Sequence, residues 1–351
     1  MAEPTRYRAA LIGAGRIGML LERDPKRLKP ATHFGMWSSH PRAELVAVCD
    51  ADPAKLAAAR ELEPGVATYE DATTLLVTER PDVVSIATWK DSHYELCKLA
   101  LEHGVRAIVL EKPIAERYDD AREIVDDARR RGAELIVNHR RRFDPLLYPL
   151  RDELAAGLVG RVQQVSTHYV YGLVTTGTHL VDTVRFLLGE FVGEVAWAAG
   201  FPNERPHFAP PDDPCVDGFL GFESGAKASL QSLDLKRYDL FQIDVYGETG
   251  RVSLRSIGRE LAVYRVVDSP EHEGFTELEP EPSDRRGGSP RDQFRMLADN
   301  AIACLDGSET SLSTGEDSLK ALEILLALRE SALDGGRVIR LRGAGAPSAA
   351  I

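Results

Sequence analysis

Two stretches of this 351-residue chain hold side chains suited to acid–base chemistry. In one, Arg106-Ala107-Ile108-Val109-Leu110 reads as a buried parallel strand that gives way to Glu111-Lys112-Pro113. Pro113 lacks an N–H and biases Lys112 toward an extended backbone, so the strand is expected to end at Lys112. Open α/β sheets bind ligands outside the carboxyl ends of their strands, which aims the Lys112 amine into a crevice. A solvated surface lysine is the competing reading of the tripeptide alone. In the other stretch, Gly177 to Gly189 reads as a helix with Thr178 as N-cap and Gly189 as its stop. His179 and Asp182, three apart, share a face distinct from the buried stripe of Leu180, Val184 and Leu187. A carboxylate one turn from an imidazole fixes its tautomer and raises its basicity, as a general base requires. A capping histidine with Asp182 paired to Arg185 is the competing reading.

The elements that must position these groups begin with an apolar strand, Tyr7 to Ile12. It runs into Gly13-Ala14-Gly15-Arg16-Ile17-Gly18, with Met19-Leu20-Leu21 opening a helix. Strand, glycine turn and helix in that order form a dinucleotide fingerprint. Gly13 allows the tight turn, Gly15 lets the backbone approach a pyrophosphate, and Gly18 permits close helix packing. The next strand, Glu44 to Cys49, ends in Asp50, whose carboxylate can accept from both ribose hydroxyls and would repel a 2′-phosphate. NAD is therefore favoured over NADP. Asp50 follows Gly18 by 32 positions (50 − 18), whereas about 20 is usual. The polar, proline-bounded stretch Glu22 to Pro30 reads as a loop insertion that accounts for the excess.

Alternating helices and strands continue to Glu134–Asn138, and repeated βα units of this kind build a doubly wound parallel sheet. Beyond the basic junction His139-Arg140-Arg141-Arg142-Phe143-Asp144-Pro145 the texture changes. Short strands at Val162 to Tyr171, Glu194 to Ala199, Val216 to Phe222, Ala226 to Leu233, Phe241 to Tyr246 and Leu261 to Val267 indicate a largely antiparallel sheet. Helices are expected over 291–305 and 315–333. Pro202 to Pro214 and Ser269 to Arg291 read as loop-like or mobile. The division is thus residues 1–138, residues 139–345, and a flexible tail at 346–351.

Composition narrows the function. A net charge of −12, from 43 basic and 55 acidic residues, disfavours nucleic acid and anionic membranes as partners. No apolar run approaches the roughly 20 residues that span a bilayer, and Met1 to Thr5 lacks a signal-peptide pattern. Cys49, Cys97, Cys215 and Cys304 show neither metal-ligand spacing nor a disulfide framework, so no metal is expected and the compartment reads as a reducing cytoplasm.

Taken together, the Gly13/Gly15/Gly18 turn, Asp50, Thr88…His93, Glu111-Lys112-Pro113, Arg142-Phe143-x-Pro145 and the Gly-x-His-x-x-Asp helix closely resemble the glucose-fructose oxidoreductase and inositol dehydrogenase (Gfo/Idh/MocA) family. The resemblance covers nearly the whole chain. It implies a Rossmann domain, an α+β domain with an open, mostly antiparallel sheet, a substrate cleft between them, and homodimers or homotetramers formed through that sheet. It also implies an NAD site of Gly13, Gly15, Arg16, Ile17, Gly18, Asp50, Thr88, Trp89, His93, Glu111, Lys112 and Asn138. Lys112 would hydrogen-bond the reacting hydroxyl and His179 would accept its proton. Thr175 is a candidate substrate contact, as are Arg140, Arg142, Lys236, Arg237 and Tyr238, the last three just after a strand; a solvated charge cluster is the competing reading of these charges. Two positions depart from the family pattern. Thr175 stands where an aspartate is common, four before the histidine, and cannot ionise near neutral pH. Trp89 replaces a usual proline, and its indole either closes over the nicotinamide or fills an apolar gap.

The expected reaction is oxidation of a secondary hydroxyl of a sugar, inositol or related polyol by hydride transfer to NAD. Alternatives within the family are a keto-sugar or imine reductase and a redox-neutral NAD-dependent glycosidase; from another class comes a nucleotide-sensing regulator without turnover.

Overall fold

The computed structural model describes residues 5–204, 213–234, 237–282, 286–287 and 292–342. The expected tail at 346–351 and the candidate contact Lys236 lie outside the described residues. The chain divides into two compact units, Met1–Asp144 with Pro290–Leu322, and Pro145–Ser289 with Glu323–Ile351.

In the first unit six apolar runs form β1 (Tyr7–Ile12), β2 (Ala43–Cys49), β3 (Ala67–Tyr69), β4 (Val83–Ile86), β5 (Ala107–Leu110) and β6 (Glu134–Val137). All pair in parallel, in the order β3-β2-β1-β4-β5-β6. Between them run α1 (His33–Ser39), α2 (Pro53–Leu62), α3 (Ala72–Glu79), α4 (His93–Glu102) and α5 (Tyr118–Arg131). Local sequence accounts for their ends. Asp52 and Asp71 cap α2 and α3 by accepting backbone N–H groups, and Gly132, at φ +66°, closes α5. The register aligns Cys49, Ile12, Ile86, Leu110 and Val137 in one row, so five strands stop together along a single edge.

The first crossover departs from expectation. Met19 N–H bonds Gly15 O and Leu21 N–H bonds Arg16 O, which makes one helical turn and not a full helix. The chain then leaves through a short 3₁₀ segment, Leu20–Arg23, before returning. On its return His33 N–H bonds Ile17 O and Phe34 N–H bonds Gly18 O. His33 thus occupies the place of a residue four beyond Ile17, so the excursion adds 12 positions (33 − 17 = 16, less 4). Subtracting these from the 32 between Gly18 and Asp50 leaves 20, the usual spacing. The crossover helix is interrupted rather than lengthened.

In the second unit, α6 (Leu147–Ala155) precedes β7 (Val162–Val170), and α7 (Thr178–Val192) precedes β8 (Val195–Pro202), β9 (Val216–Phe222), β10 (Lys227–Leu233), β11 (Phe241–Gly247), β12 (Gly250–Arg255), β13 (Glu260–Asp268), β14 (Thr276–Pro280) and β15 (Arg286–Gly287). With β16 (Ile339–Arg340) they form an open sheet in the order β14-β13-β12-β11-β7-β10-β9-β8-β16, in which only β7 and β10 pair in parallel; β15 pairs β13 off this path. Three strands were not anticipated, the two-residue β15 among them. Val252, Ser253 and Leu254 of β12 are all buried between half-buried Arg251 and exposed Arg255, and β14 is a fully exposed edge within the segment read as loop-like or mobile. Its Glu277, Glu279 and Pro280 are residues that keep an edge from recruiting another strand.

The helices that follow are α8 (Gln293–Leu305) and α9 (Gly315–Leu333). The sequence division assigned α8 to the second domain, but Pro290–Leu322 belongs to the first unit. Phe294, Leu297, Ala301 and Ile302 join the core cluster of the parallel sheet, with α8 against α1, β5 and β6. The first unit also runs on to Asp144, because Asp144 accepts Gln293 Nε2–H at 2.7 Å within it.

A Cβ on Gly18 would lie 1.9 Å from Gly13 O. Gly18→Ala is therefore expected to destabilise the chain by about 3 kcal/mol, read as a lower denaturation midpoint at unchanged m; an unchanged midpoint would contradict this packing.

Candidate active site

The common strand edge brings the first-unit candidates together. Asp50, Gly13, Thr88, Glu111 with Lys112, and Asn138 follow the ends of β2, β1, β4, β5 and β6 within two residues of the aligned row. At the glycine turn, Gly13 has φ +97°, and a Cβ there would lie 2.7 Å from the Ala87 carbonyl carbon. Gly15, by contrast, has nothing within 4 Å of the Cβ position. Among the described residues the N–H groups of Gly15, Arg16 and Ile17 have no backbone acceptor. Open space above Gly15 bordered by available donors fits a dinucleotide pyrophosphate.

Asp50 is already engaged. Its carboxylate accepts Ala14 N–H at 2.8 Å and Asp52 N–H at 2.9 Å, and the Lys55 ammonium lies 3.1 and 3.2 Å from its two oxygens. A ribose diol would share these oxygens, and Lys55 offsets part of the negative charge facing it.

Beneath Lys112 lies a buried polar network. Glu111 Oε1 accepts from His33 Nε2 at 2.9 Å and from Asn138 Nδ2 at 2.6 Å. His33, wholly buried, lies 3.1 Å through Nδ1 from Ser85 Oγ, which accepts Trp37 Nε1–H at 2.7 Å. An N–H at His33 Nε2 can donate to the Glu111 carboxylate while Nδ1 stays within hydrogen-bond reach of the Ser85 hydroxyl. Burial alone would raise the Glu111 carboxyl. The His33 hydrogen bond, the Lys112 charge and the Asn138 amide outweigh it and hold the group at about 2. Lys112, half-buried, therefore sits next to a fixed negative charge.

The neighbouring loop is tied to the same place. His93 Nδ1 lies 2.9 Å from Pro113 O and its Nε2 lies 3.3 Å from Thr88 O, while burial holds this imidazole below its usual range. Trp89 projects from that loop at 84% exposure, so it fills no apolar gap. Arg142 turns inward: its Nη1 lies 3.0 Å from Asp317 and 3.2 Å from Leu312 O, a structural use of a charge the sequence offered to substrate.

In the second unit His179 is half-buried on α7 and Asp182 is 1% exposed. Arg185 meets Glu194, at 3.2 Å. The ends of α7 differ from expectation. Thr178 is helical (φ −56°, ψ −42°) and follows a π-turn, Leu173–Gly177, and the helix passes Gly189 to stop at Gly193, φ +77°. The capping role falls to Asp213, which is 5% exposed. Its oxygens accept Val174 N–H at 2.7 Å, Thr175 N–H at 2.8 Å and the Thr175 hydroxyl at 2.6 Å. A carboxylate thus reaches Thr175 from 38 residues away. Tyr238 is 57% exposed beyond β10. Among the described residues no cluster of metal-ligating side chains occurs.

Sequence reasoning missed His33, Lys55 and Asp213. His33 follows the excursion with no local motif, and Asp213 lies outside the named strands with none either; only Lys55, one turn into the helix behind Asp50, carried a spacing signal.

Strand order, glycine turn and lysine-terminated edge define a dinucleotide-binding Rossmann unit followed by an open-sheet α/β unit. The chain belongs to the Gfo/Idh/MocA oxidoreductases: residues 7–139 match the family's NAD-binding Rossmann fold and residues 172–340 its C-terminal alpha/beta domain. It is 29% identical to D-apiose dehydrogenase of Paraburkholderia graminis, covering 99% of this chain and 92% of that one. It is 31% identical to inositol 2-dehydrogenase of Rhizobium meliloti, covering 70% and 74%. Its fold is similar to that of the WlbA dehydrogenase from Bordetella pertussis in complex with NADH and UDP-GlcNAcA (TM-score 0.74, 22% identity, 96% of this chain and 99% of that one). The protein is an oxidoreductase with an NAD-binding domain.

Because Glu111 is held at about 2, from an ordinary 4.5, its contribution to stability is present above pH 4.5 and lost as pH falls toward 2. Glu111→Gln should lower stability at pH 7 by on the order of 3 kcal/mol and flatten the acid limb of the stability–pH curve. An acid limb identical to wild type would show that the network does not hold the charge.

Proposed function

We propose that this protein is an NAD-dependent dehydrogenase that oxidises a secondary hydroxyl of a sugar, inositol or related polyol. The observation that carries the reading is Lys112 at the edge where five strands end together, beside a buried and ionised Glu111. The sugar and polyol names of the relatives support the substrate class.

In this reading NAD, when bound, supplies the hydride acceptor for the carbinol carbon. Gly15, Arg16 and Ile17 hold the pyrophosphate by their N–H groups, and Asp50 receives the ribose hydroxyls. Lys112 donates to the reacting hydroxyl and stabilises the alkoxide as it forms, a charge interaction much stronger in a dry site than in water. His179 takes the hydroxyl proton, and Asp182, one turn along α7, favours the imidazolium. Asp213, by fixing Val174 and Thr175, sets the start of the turn that presents His179. Run in reverse, the same groups protonate a carbonyl during reduction.

General-base catalysis contributes typically ~10²–10⁴-fold. His179→Ala should therefore lower kcat at least ~30-fold with little change in Kd for NADH, and Lys112→Ala should cost more. Wild-type turnover by both variants, assayed as NADH formation across a polyol panel, would refute the mechanism. Fluorescence titration should also give a lower Kd for NADH than for NADPH, through Asp50. The reverse order would show that Lys55 governs the site instead.

A further inference from the structure

We propose that Trp89 is the stacking platform for the sugar ring, its indole covering the ring's apolar C–H face while Lys112 engages a hydroxyl at the rim. The proposal rests on the sugar-oxidoreductase reading above and adds the element that recognises the ring itself.

Three observations converge on it. The first is exposure: at 84%, Trp89 is matched among the described large apolar side chains only by Leu333, near the C-terminal end of α9. The second is place. Ile86 of β4 lies opposite Leu110 of β5, Trp89 is three residues beyond the one and Lys112 two beyond the other. Adjacent strands are ~4.8 Å apart, so indole and amine leave from neighbouring points of one edge. The third is fixation. Trp89 O accepts Ser92 N–H at 3.1 Å and lies 2.8 Å from Ser92 Oγ, which is also 2.7 Å from Thr88 Oγ1. Lys90 pairs with Glu116, and His93 bridges Thr88 O and Pro113 O, which locks the tryptophan loop to the lysine loop. The backbone carrying this indole is anchored on both sides while its side chain is left to solvent.

A flat, rigid, amphipathic surface beside a hydrogen-bonding cation suits a carbohydrate. The indole face removes ring C–H groups from water at small entropic cost, and the hydroxyls stay at the edge for polar partners. The nicotinamide is also planar, so the assignment to sugar rather than cofactor is the point to be tested.

The chain has three tryptophans, Trp37, Trp89 and Trp197. In protein carrying 5-fluorotryptophan, the ¹⁹F resonance missing from Trp89→Phe identifies Trp89. D-apiose, myo-inositol and methyl β-D-glucoside are titrated into the full chain saturated with NADH. At least one is expected to shift the Trp89 resonance with little effect on the other two. For a sugar that turns over, Trp89→Ala should raise KM on the order of tenfold, with a smaller change in kcat; Trp89→Phe should stay within ~3-fold and NADH affinity should hold. Turnover with no Trp89 shift overturns the platform and leaves the dehydrogenase reading intact. A weaker NADH Kd in Trp89→Ala with unchanged sugar KM moves the indole onto the cofactor, and a concentration-dependent resonance without sugar makes it a subunit contact; both overturn the proposal. Neither shift nor turnover across the panel defeats the proposal together with the reading beneath it.

Discussion

A carboxylate shut away from water must be surrounded by donors, and that requirement at Glu111 organises the whole parallel-sheet unit. Its partners arrive from α1 through His33 and from the end of β6 through Asn138, while Ser85 of β4 and Trp37 of α1 hold the imidazole in place. Losing one donor would leave a charge uncompensated in an apolar interior, which costs more than the contact itself contributes. The network therefore fixes where three strands end relative to one helix. Lys112 inherits that precision, being the next residue along the chain.

The same demand explains why α1 resumes where it does. His33 must reach Glu111 from the turn after the glycine fingerprint, and its N–H also bonds Ile17 O. The excursion between Gly18 and His33 changes the count of residues without changing the helix they rejoin. From the other side α8 seals the sheet with Phe294, Leu297 and Ile302, and Phe294 meets the His33 ring edge-on at 5.4 Å. A segment more than 150 positions downstream of β6 thus completes the core around that histidine.

How much of this could be read from residues alone depended on the range of the forces involved. β1, α2, β9 and α9 begin and end where local punctuation says, because caps, prolines and apolar runs act over a few residues. Gly13, Gly15, Gly18, Asp50 and Lys112 were legible for the same reason. His33 and Asp213 were not, since their partners lie 78 and 38 residues away and nothing nearby marks them. The end of α7 at Gly193 instead of Gly189 shows the limit of glycine as a stop signal: a helix can run through one, and ends where positive φ is imposed. Exposed β14 went unread because its pattern of charge and proline resembles a loop.

The detour after the glycine turn leaves and re-enters a single helical turn, so its two ends are held near each other by Ile17 and Gly18. Closing a loop whose ends are already juxtaposed becomes costlier only with the logarithm of its length, about 0.6 kcal/mol per doubling. Residues 25–29, the exposed part of the detour, are therefore open to growth, pruning or the grafting of a reporter, and distance along the chain between fingerprint and acidic residue is a poor guide to distance in space.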